Sequence, residues 1–255
     1  MQAYLDLADL YRAQKNYEEA IKLLGTAIGI APKNAELYQH LGLTYLASSN
    51  AEKAVTNFNR AIEYDQKNSD NYFYLARVYS ELRHDDEAAL TQLLKGTVLN
   101  PKDSDFDIAI ADVHRRKKNY PEAIKYFESA IKKTPNVPWT YKDLAKIYEV
   151  QGKNEDAIRY YEEALKRLDP NDSSTPTTKE LYLGRQARLR GKYDEAIAHF
   201  RNVNYPDEPG QSIYDIGVVY VLTKKKKLAG EQLAQLIQLR SALAEDLRQM
   251  IAEMK

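Results

Sequence analysis

Apolar residues along this chain recur every three or four positions, in runs that break after roughly three turns of helix. In the first stretch, Tyr4, Leu7, Ala8 and Tyr11 share one helical face, and Ala20, Leu24 and Ala27 share another. Asn16 and Tyr17 stand between the two faces, and Pro32 closes the unit. That spacing belongs to an α-helix with one buried stripe. The motif returns six more times. Tyr38, Leu41, Gly42 and Tyr45 precede Ala54, Phe58 and Ala61. Tyr72, Leu75, Ala76 and Tyr79 precede Ala89, Leu93, Gly96 and Pro101. Ile110, Ala111 and His114 precede Ala123, Phe127, Ala130 and Pro135; Tyr141, Leu144, Ala145 and Tyr148 precede Ala157, Tyr161 and Ala164. Leu183, Gly184 and Ala187 precede Ala196, Phe200 and Val203; Ile213, Ile216, Gly217 and Tyr220 precede Ala229, Leu233 and Leu236. The remainder, 241–255, carries Leu243, Leu247, Met250 and Ile251 on one stripe.

An aromatic slot, small residues where two helices approach, an Ala-x-x-x-large-x-x-Ala stripe and a closing proline, at a period of about 34 residues, resemble the tetratricopeptide-repeat family. The resemblance implies an all-α, right-handed α-solenoid of about seven stacked antiparallel helix pairs. Its inner wall would be lined by the first helix of each pair. The units are expected at 1–34, 35–68, 69–103, 104–137, 138–171, 177–210 and 211–240, as one array over 1–255. A helix over 241–255 is expected to cap the last apolar face, because repeat arrays need a terminal element that hides it.

Departures from the pattern carry their own expectations. The turn from Arg83 to Asp86 reads one residue longer than its counterparts. Gln66 replaces a closing proline, Asp107 and Glu180 occupy aromatic slots, and His114 replaces a tyrosine, so local contacts there should be looser. Ser104 reads as an N-cap and Pro121 as a first-turn proline. Gly152 suits a positive φ at a helix end. The polar run 171–178 reads as an elbow in the array and 205–210 as a second irregular connection. Gly25 and Gly29 read as a close-packing pair. The abrupt start at a repeat boundary, with no capping residue before the first helix, reads as a piece of a longer chain.

Composition removes several classes of function. Lys plus Arg and Asp plus Glu both number 37, without the basic surplus of a nucleic-acid binder. Cysteine is absent, so there is neither a disulfide framework nor a Cys-based zinc site. No apolar run reaches the roughly 18 residues of a membrane span, and no signal peptide is visible, so a cytoplasmic location is expected. Twenty tyrosines against one tryptophan fit repeated aromatic slots at helix contacts. His40, His84, His114 and His199 lie in different units without metal-ligand spacing, and no cofactor motif or catalytic triad can be read from the spacing. Acidic pairs such as Glu18-Glu19, Glu162-Glu163 and Asp85-Asp86-Glu87 read as partners of helix N-termini and nearby bases. The run Lys224–Lys227 reads as a solvated turn.

By the repeat register, the inner wall carries Phe73, Arg77, Ile108, Arg115, Lys142, Lys146, Leu181, Arg185, Arg188 and Tyr214. Basic residues gather from Arg77 to Arg188 with apolar residues between them. Such a groove suits a protein or peptide partner carrying acidic groups beside apolar anchors. Some members of the family clamp a terminal carboxylate on the first three wall helices; Leu5, Asp9 and Leu43 stand in those places here, so that clamp is not expected in the first units. The leading expectation is a non-catalytic interaction scaffold. The alternatives are a recruiting segment of a larger enzyme, such as a glycosyltransferase, and a module that self-associates through its C-terminal end.

Overall fold

The computed structural model describes residues 1–203 and 210–254. Among them are fifteen α-helices, one π-helical turn and no strand. The fold is an all-α helical repeat in which consecutive helices pack in pairs. Packing divides the chain into two compact units, Met1–Pro135 and Asn136–Lys255.

The first unit holds α1 (Gln2–Ala13), α2 (Tyr17–Ile30), α3 (Ala35–Ala47), α4 (Ala51–Tyr64), α5 (Ser69–Arg77), α6 (Asp86–Leu99), α7 (Ser104–Arg116) and α8 (Tyr120–Lys133). Each second helix folds back on the first of its pair, and the next first helix packs against it. The stripes read from the sequence are the core: Ala20, Leu24, Ala27, Ala54, Phe58, Ala61, Ala123, Phe127 and Ala130 are all fully buried. Five of these eight helices, α3 to α7, start where an Asn or Asp side chain satisfies orphan amides. The Asn34 carbonyl accepts from the N–H groups of Glu36 and Leu37, at 3.0 and 3.2 Å. Asn50, Asn68, Asp85 and Asp103 do the same for α4, α5, α6 and α7. Ser104 is therefore not the cap: Asp103, a carboxylate, takes that place at 2.9 Å, and Ser104 turns inward as a buried first residue. Tyrosines tie the closing turns down. Tyr38 donates to the Pro32 carbonyl at 3.0 Å, and Tyr72 makes the same bond to Gln66 at 3.3 Å, so the turn lacking proline keeps its strap.

The extra residue of the third pair is not in the turn. From cap to left-handed turn residue, Asn68 to His84 is one residue longer than Asn34 to Ser49 or Asp103 to Lys118. The helix absorbs it as a π-helical turn, Val78–Leu82, closed by Arg83 N–H to the Val78 carbonyl at 3.2 Å. A π turn widens the hydrogen-bonded ring by one residue and so takes up the insertion without breaking the helix.

Asp107 in its aromatic slot loosens nothing. It is buried, accepts from the Ser129 hydroxyl at 2.6 Å and pairs with Lys133 at 2.8 Å, so a polar contact replaces the ring. The ring itself sits one residue earlier, in Phe106. Gly25 and Gly29 overturn the close-packing reading: both are exposed, and a Cβ on either meets nothing within 4 Å. Gly25→Ala is accordingly expected to stabilise the first unit by about 0.5–1 kcal/mol, by removing backbone freedom from the unfolded chain. Chemical denaturation checks this; a loss of stability would contradict the open environment.

The second unit holds α9 (Pro138–Val150), α10 (Asn154–Leu165), α11 (Thr175–Leu189), α12 (Tyr193–Arg201), α13 (Gly210–Leu222), α14 (Lys226–Gln238) and α15 (Leu243–Ala252). The expected elbow is half helix: residues 175–178 form the first turn of α11, where Pro176 is favoured. The loop proper is 166–174. The connection expected at 205–210 lies outside the described residues except for Gly210, which opens α13. Lys226 and Lys227 belong to the first turn of α14, so only half of the lysine run is turn. Gly152 takes φ +71° as expected. Glu180 in its aromatic slot faces His199 at 2.9 Å and Asn202 at 3.3 Å. Its carboxyl is held below the usual range by the His199 hydrogen bond, with burial opposing and Asn202 adding to it. The capping helix is present: α15 packs on α13 and α14, with Leu247 fully buried beside Leu236 and Ala244. Gly217 makes room for it, since a Cβ there would lie 2.6 Å from the Leu247 side chain.

Candidate functional site

The first helices of the second unit share a recurrent face, and that face opens into a cleft. α9 supplies Pro138, Trp139, Lys142 and Lys146, residues three or four apart and therefore on one side of the helix. α11 supplies Thr175, Thr178, Leu181, Tyr182 and Arg185. The loop 166–174 closes one end with Arg167, Leu168, Asp169, Asp172 and Ser174, and Gln211 reaches in from α13. The volume is about 490 Å³, within the range of pre-formed ligand clefts. The loop is braced internally. Asp169 accepts from the Asn171 amide at 2.9 Å, and Asp172 from the Ser174 amide at 2.8 Å and its hydroxyl at 2.9 Å. These hydrogen bonds to Ser174 hold the Asp172 carboxyl below its usual range. Thr175 donates to the Asp169 carbonyl at 2.6 Å.

Four residues expected on the wall, Lys142, Lys146, Leu181 and Arg185, meet in this cleft. They are not equivalent. Lys142 is half-buried and pairs with Asp143 at 3.0 Å. Arg185 is only 6% exposed, because its guanidinium runs into the core. There it donates to the Tyr161 hydroxyl at 3.2 Å and to Asp215 at 3.3 Å. Gln211 also donates to Asp215, at 2.9 Å. The Tyr161 hydroxyl donates to Glu149 at 3.2 Å, and Arg188 pairs with the other Glu149 oxygen. This network joins α9, α10, α11 and α13. Burial by itself would pull the Arg185 pKa down; Asp215, the Tyr161 oxygen and Glu149 outweigh that and hold it well above the usual value, so the side chain stays a cation. Burial pushes the Tyr161 phenol up.

The remaining wall residues are placed differently from a row of open cations. Arg188 is engaged with Glu149 and is not in the cleft. Tyr214 is half-buried against the capping helix, with its hydroxyl 4.0 Å from the Met250 sulfur. In the first unit, Arg77 pairs with Glu81 at 2.9 Å and Arg115 with Asp112 at 2.8 Å, each on its own helix. Acids three or four residues away explain both pairs, and the stretch from Arg77 to Arg188 is neutralised internally at these positions. Phe73 leans edge-on against Phe106, with ring centroids 5.5 Å apart. Ile108 is half-buried on α7. Sequence reasoning missed Trp139, the single tryptophan, which is 55% exposed beside Lys142. Its spacing of three residues before Lys142 was the available signal. Arg167 was missed as well; it stacks over the Tyr141 ring at 4.1 Å and pairs with Glu163 at 2.6 Å.

Among the described residues no group of His, Asp and Glu is arranged to hold a metal ion, and no helix is long and apolar enough to cross a membrane. Sequence comparison with curated proteins returns no match. In fold, the chain is similar to a Pseudomonas aeruginosa pilF structure, at 21% identity and TM-score 0.65, covering 78% of this chain and 88% of that one. It is similar to a structure of the APC/C hetero-tetramer Cut9-Hcn1, at 17% identity and TM-score 0.73, covering 99% of this chain and 49% of that one. It is also similar to YrrB, described as a TPR protein with an unusual peptide-binding site, at 20% identity and TM-score 0.52, covering 70% and 91%. Models of the tetratricopeptide repeat match residues 1–67 and 106–169, residues 57–89, and residues 142–209. The first of these alone spans just over half of the chain, which therefore belongs to the tetratricopeptide-repeat family.

Proposed function

We propose that this chain is a non-catalytic protein-interaction scaffold that takes an extended or helical segment of a partner protein on the faces of its first helices. The observation that carries this reading is the cleft between α9 and α11. It is pre-formed, it gathers four wall residues that the repeat register singles out, and it presents an exposed tryptophan beside cations. Exposed aromatic side chains next to fixed charges are the usual anchors of protein interfaces. The aliphatic hydroxyls of the cleft, Ser174, Thr175 and Thr178, have no histidine beside them in the lining. A helical repeat also suits the role physically, because each pair contacts only its neighbours and leaves extended helix faces open.

Selection of displayed random peptides on the whole chain tests the proposal. The expected outcome is enrichment of a family of sequences that bind saturably and compete with one another. Enrichment no better than on a heat-unfolded sample would overturn it.

A further inference from the structure

We propose that the turn joining α13 to α14, together with the apolar groove beside it, docks on an anionic lipid surface. The proposal goes beyond the scaffold reading and is independent of it, since neither part belongs to the cleft between α9 and α11.

The charge in this turn is uncompensated. Lys224, Lys225, Lys226 and Lys227 are all exposed, and among the described residues no acid lies within ion-pair distance of any of them. The wall cations differ, because Arg77, Arg115 and Lys142 each have an acid beside them. Local helix physics gives no reason for the run. A cation in a first helical turn faces the positive end of the helix dipole. Each of the six other second helices accordingly carries an acid in its first turn, from Glu18 and Glu19 in α2 to Asp194 and Glu195 in α12. α14 has none there, and instead places Lys226 and Lys227 in that turn with Lys225 as the cap residue. Four like charges in succession add mutual repulsion. An anionic surface supplies a counter-charge to all four at once.

The adjoining apolar surface selects lipid among anionic partners. Lys224 also lines an open groove of about 390 Å³ between the ends of α13 and α15, with Val221, Leu222, Met250 and Met254. Leu222 is 49% exposed. Unbranched methionine side chains beside it adapt to an irregular apolar environment. The one acid of the lining, Glu253, accepts from the Gln249 side-chain amide at 3.1 Å. Glu245 and Asp246 sit in the first turn of α15, at the other end of that helix. A cationic rim beside apolar side chains is the makeup of an interfacial membrane contact, where attraction to headgroups and shallow apolar burial add. A nucleic acid calls for rings that stack its bases, and no aromatic residue lines the groove.

Co-sedimentation of the whole chain with lipid vesicles tests the proposal. The chain is expected to bind vesicles of equal parts phosphatidylcholine and phosphatidylglycerol, to ignore vesicles of phosphatidylcholine alone, and to bind less as salt is raised. Lys225→Gln combined with Lys226→Gln should weaken binding about 25-fold, from about fivefold per lysine. Lys22→Gln combined with Lys67→Gln removes the same charge from exposed positions of the first unit and should leave binding unaltered. Leu222→Ser should weaken it about fivefold through lost apolar burial. Lys226→Glu separates a binding role from a structural one. It should weaken vesicle binding and yet raise the melting temperature by about 1–3 °C, because an acid suits the start of α14. No binding to the anionic vesicles, equal binding to phosphatidylcholine alone, lysine variants that bind as the parent does, or a lower melting temperature for Lys226→Glu would overturn the proposal. So would tighter binding, lost in the same lysine variant, to a thymidine decamer or a polyglutamate peptide.

Discussion

Replacing Asp215 with Ala is expected to destabilise the second unit by about 3–5 kcal/mol, the cost of leaving a buried charge without its partner. Arg185 cannot escape to water, since it is enclosed by α10, α11 and α13 and held charged by its surroundings. Without Asp215, its remaining contacts are a neutral phenol and a more distant Glu149 that is shared with Arg188 and Tyr161. The pair is not expected to be a net source of stability. Two ions taken from water lose hydration that their attraction roughly repays, so Arg185→Met combined with Asp215→Leu should come back close to the parent. Urea denaturation followed by Trp139 fluorescence reads this, because Trp139 lies in the same unit. A loss under about 1 kcal/mol for Asp215→Ala would mean that the guanidinium finds water or another acid, and the network as described would be wrong.

Replacing Phe106 with Ala is expected to cost the first unit about 3–5 kcal/mol, the range for emptying a buried aromatic site. Phe106 is 1% exposed and packs with Leu93, Ile110, Val113 and Phe73. It also lies against Gly96: a Cβ there would sit 2.0 Å from the ring. Gly96→Ala should therefore cost about 1–3 kcal/mol by overpacking, despite adding helix propensity. The two sites are coupled. In the Phe106→Ala background, Gly96→Ala should lose most of its cost, because its methyl enters space the ring has vacated. Far-UV circular dichroism in denaturant checks all three variants. Additive costs would contradict the contact.

That pair also shows what was legible in the sequence and what was not. The 34-residue period gave helix order and stripes, because buried Ala, Leu and Phe at helical spacing have no other reason to recur. Asp107 read as a lost aromatic, when the aromatic had moved one position to Phe106 and Gly96 had replaced the alanine seen at Ala27, Ala61, Ala130 and Ala164. A compensation between two helices is invisible to a pattern read one helix at a time. The third-pair insertion was visible as a length, but whether a turn or a helix absorbs one residue depends on which keeps the amides bonded. The candidate site was legible only by face. Lys142, Lys146, Leu181 and Arg185 were found because three- and four-residue spacing places them together. That Arg185 turns inward was not, because its acid is Asp215 on another helix, and long-range pairing has no local signal. Trp139 escaped because the repeat pattern assigns no slot to its position.

A bound segment is expected to lie along α9 and α11. Hydrogen exchange on the whole chain, with and without a saturating display-selected peptide, measures this at peptide resolution. Slowed exchange concentrated in 138–146 and 175–185 is the predicted result. Slowing confined to other helices, with those two segments unchanged, would contradict it.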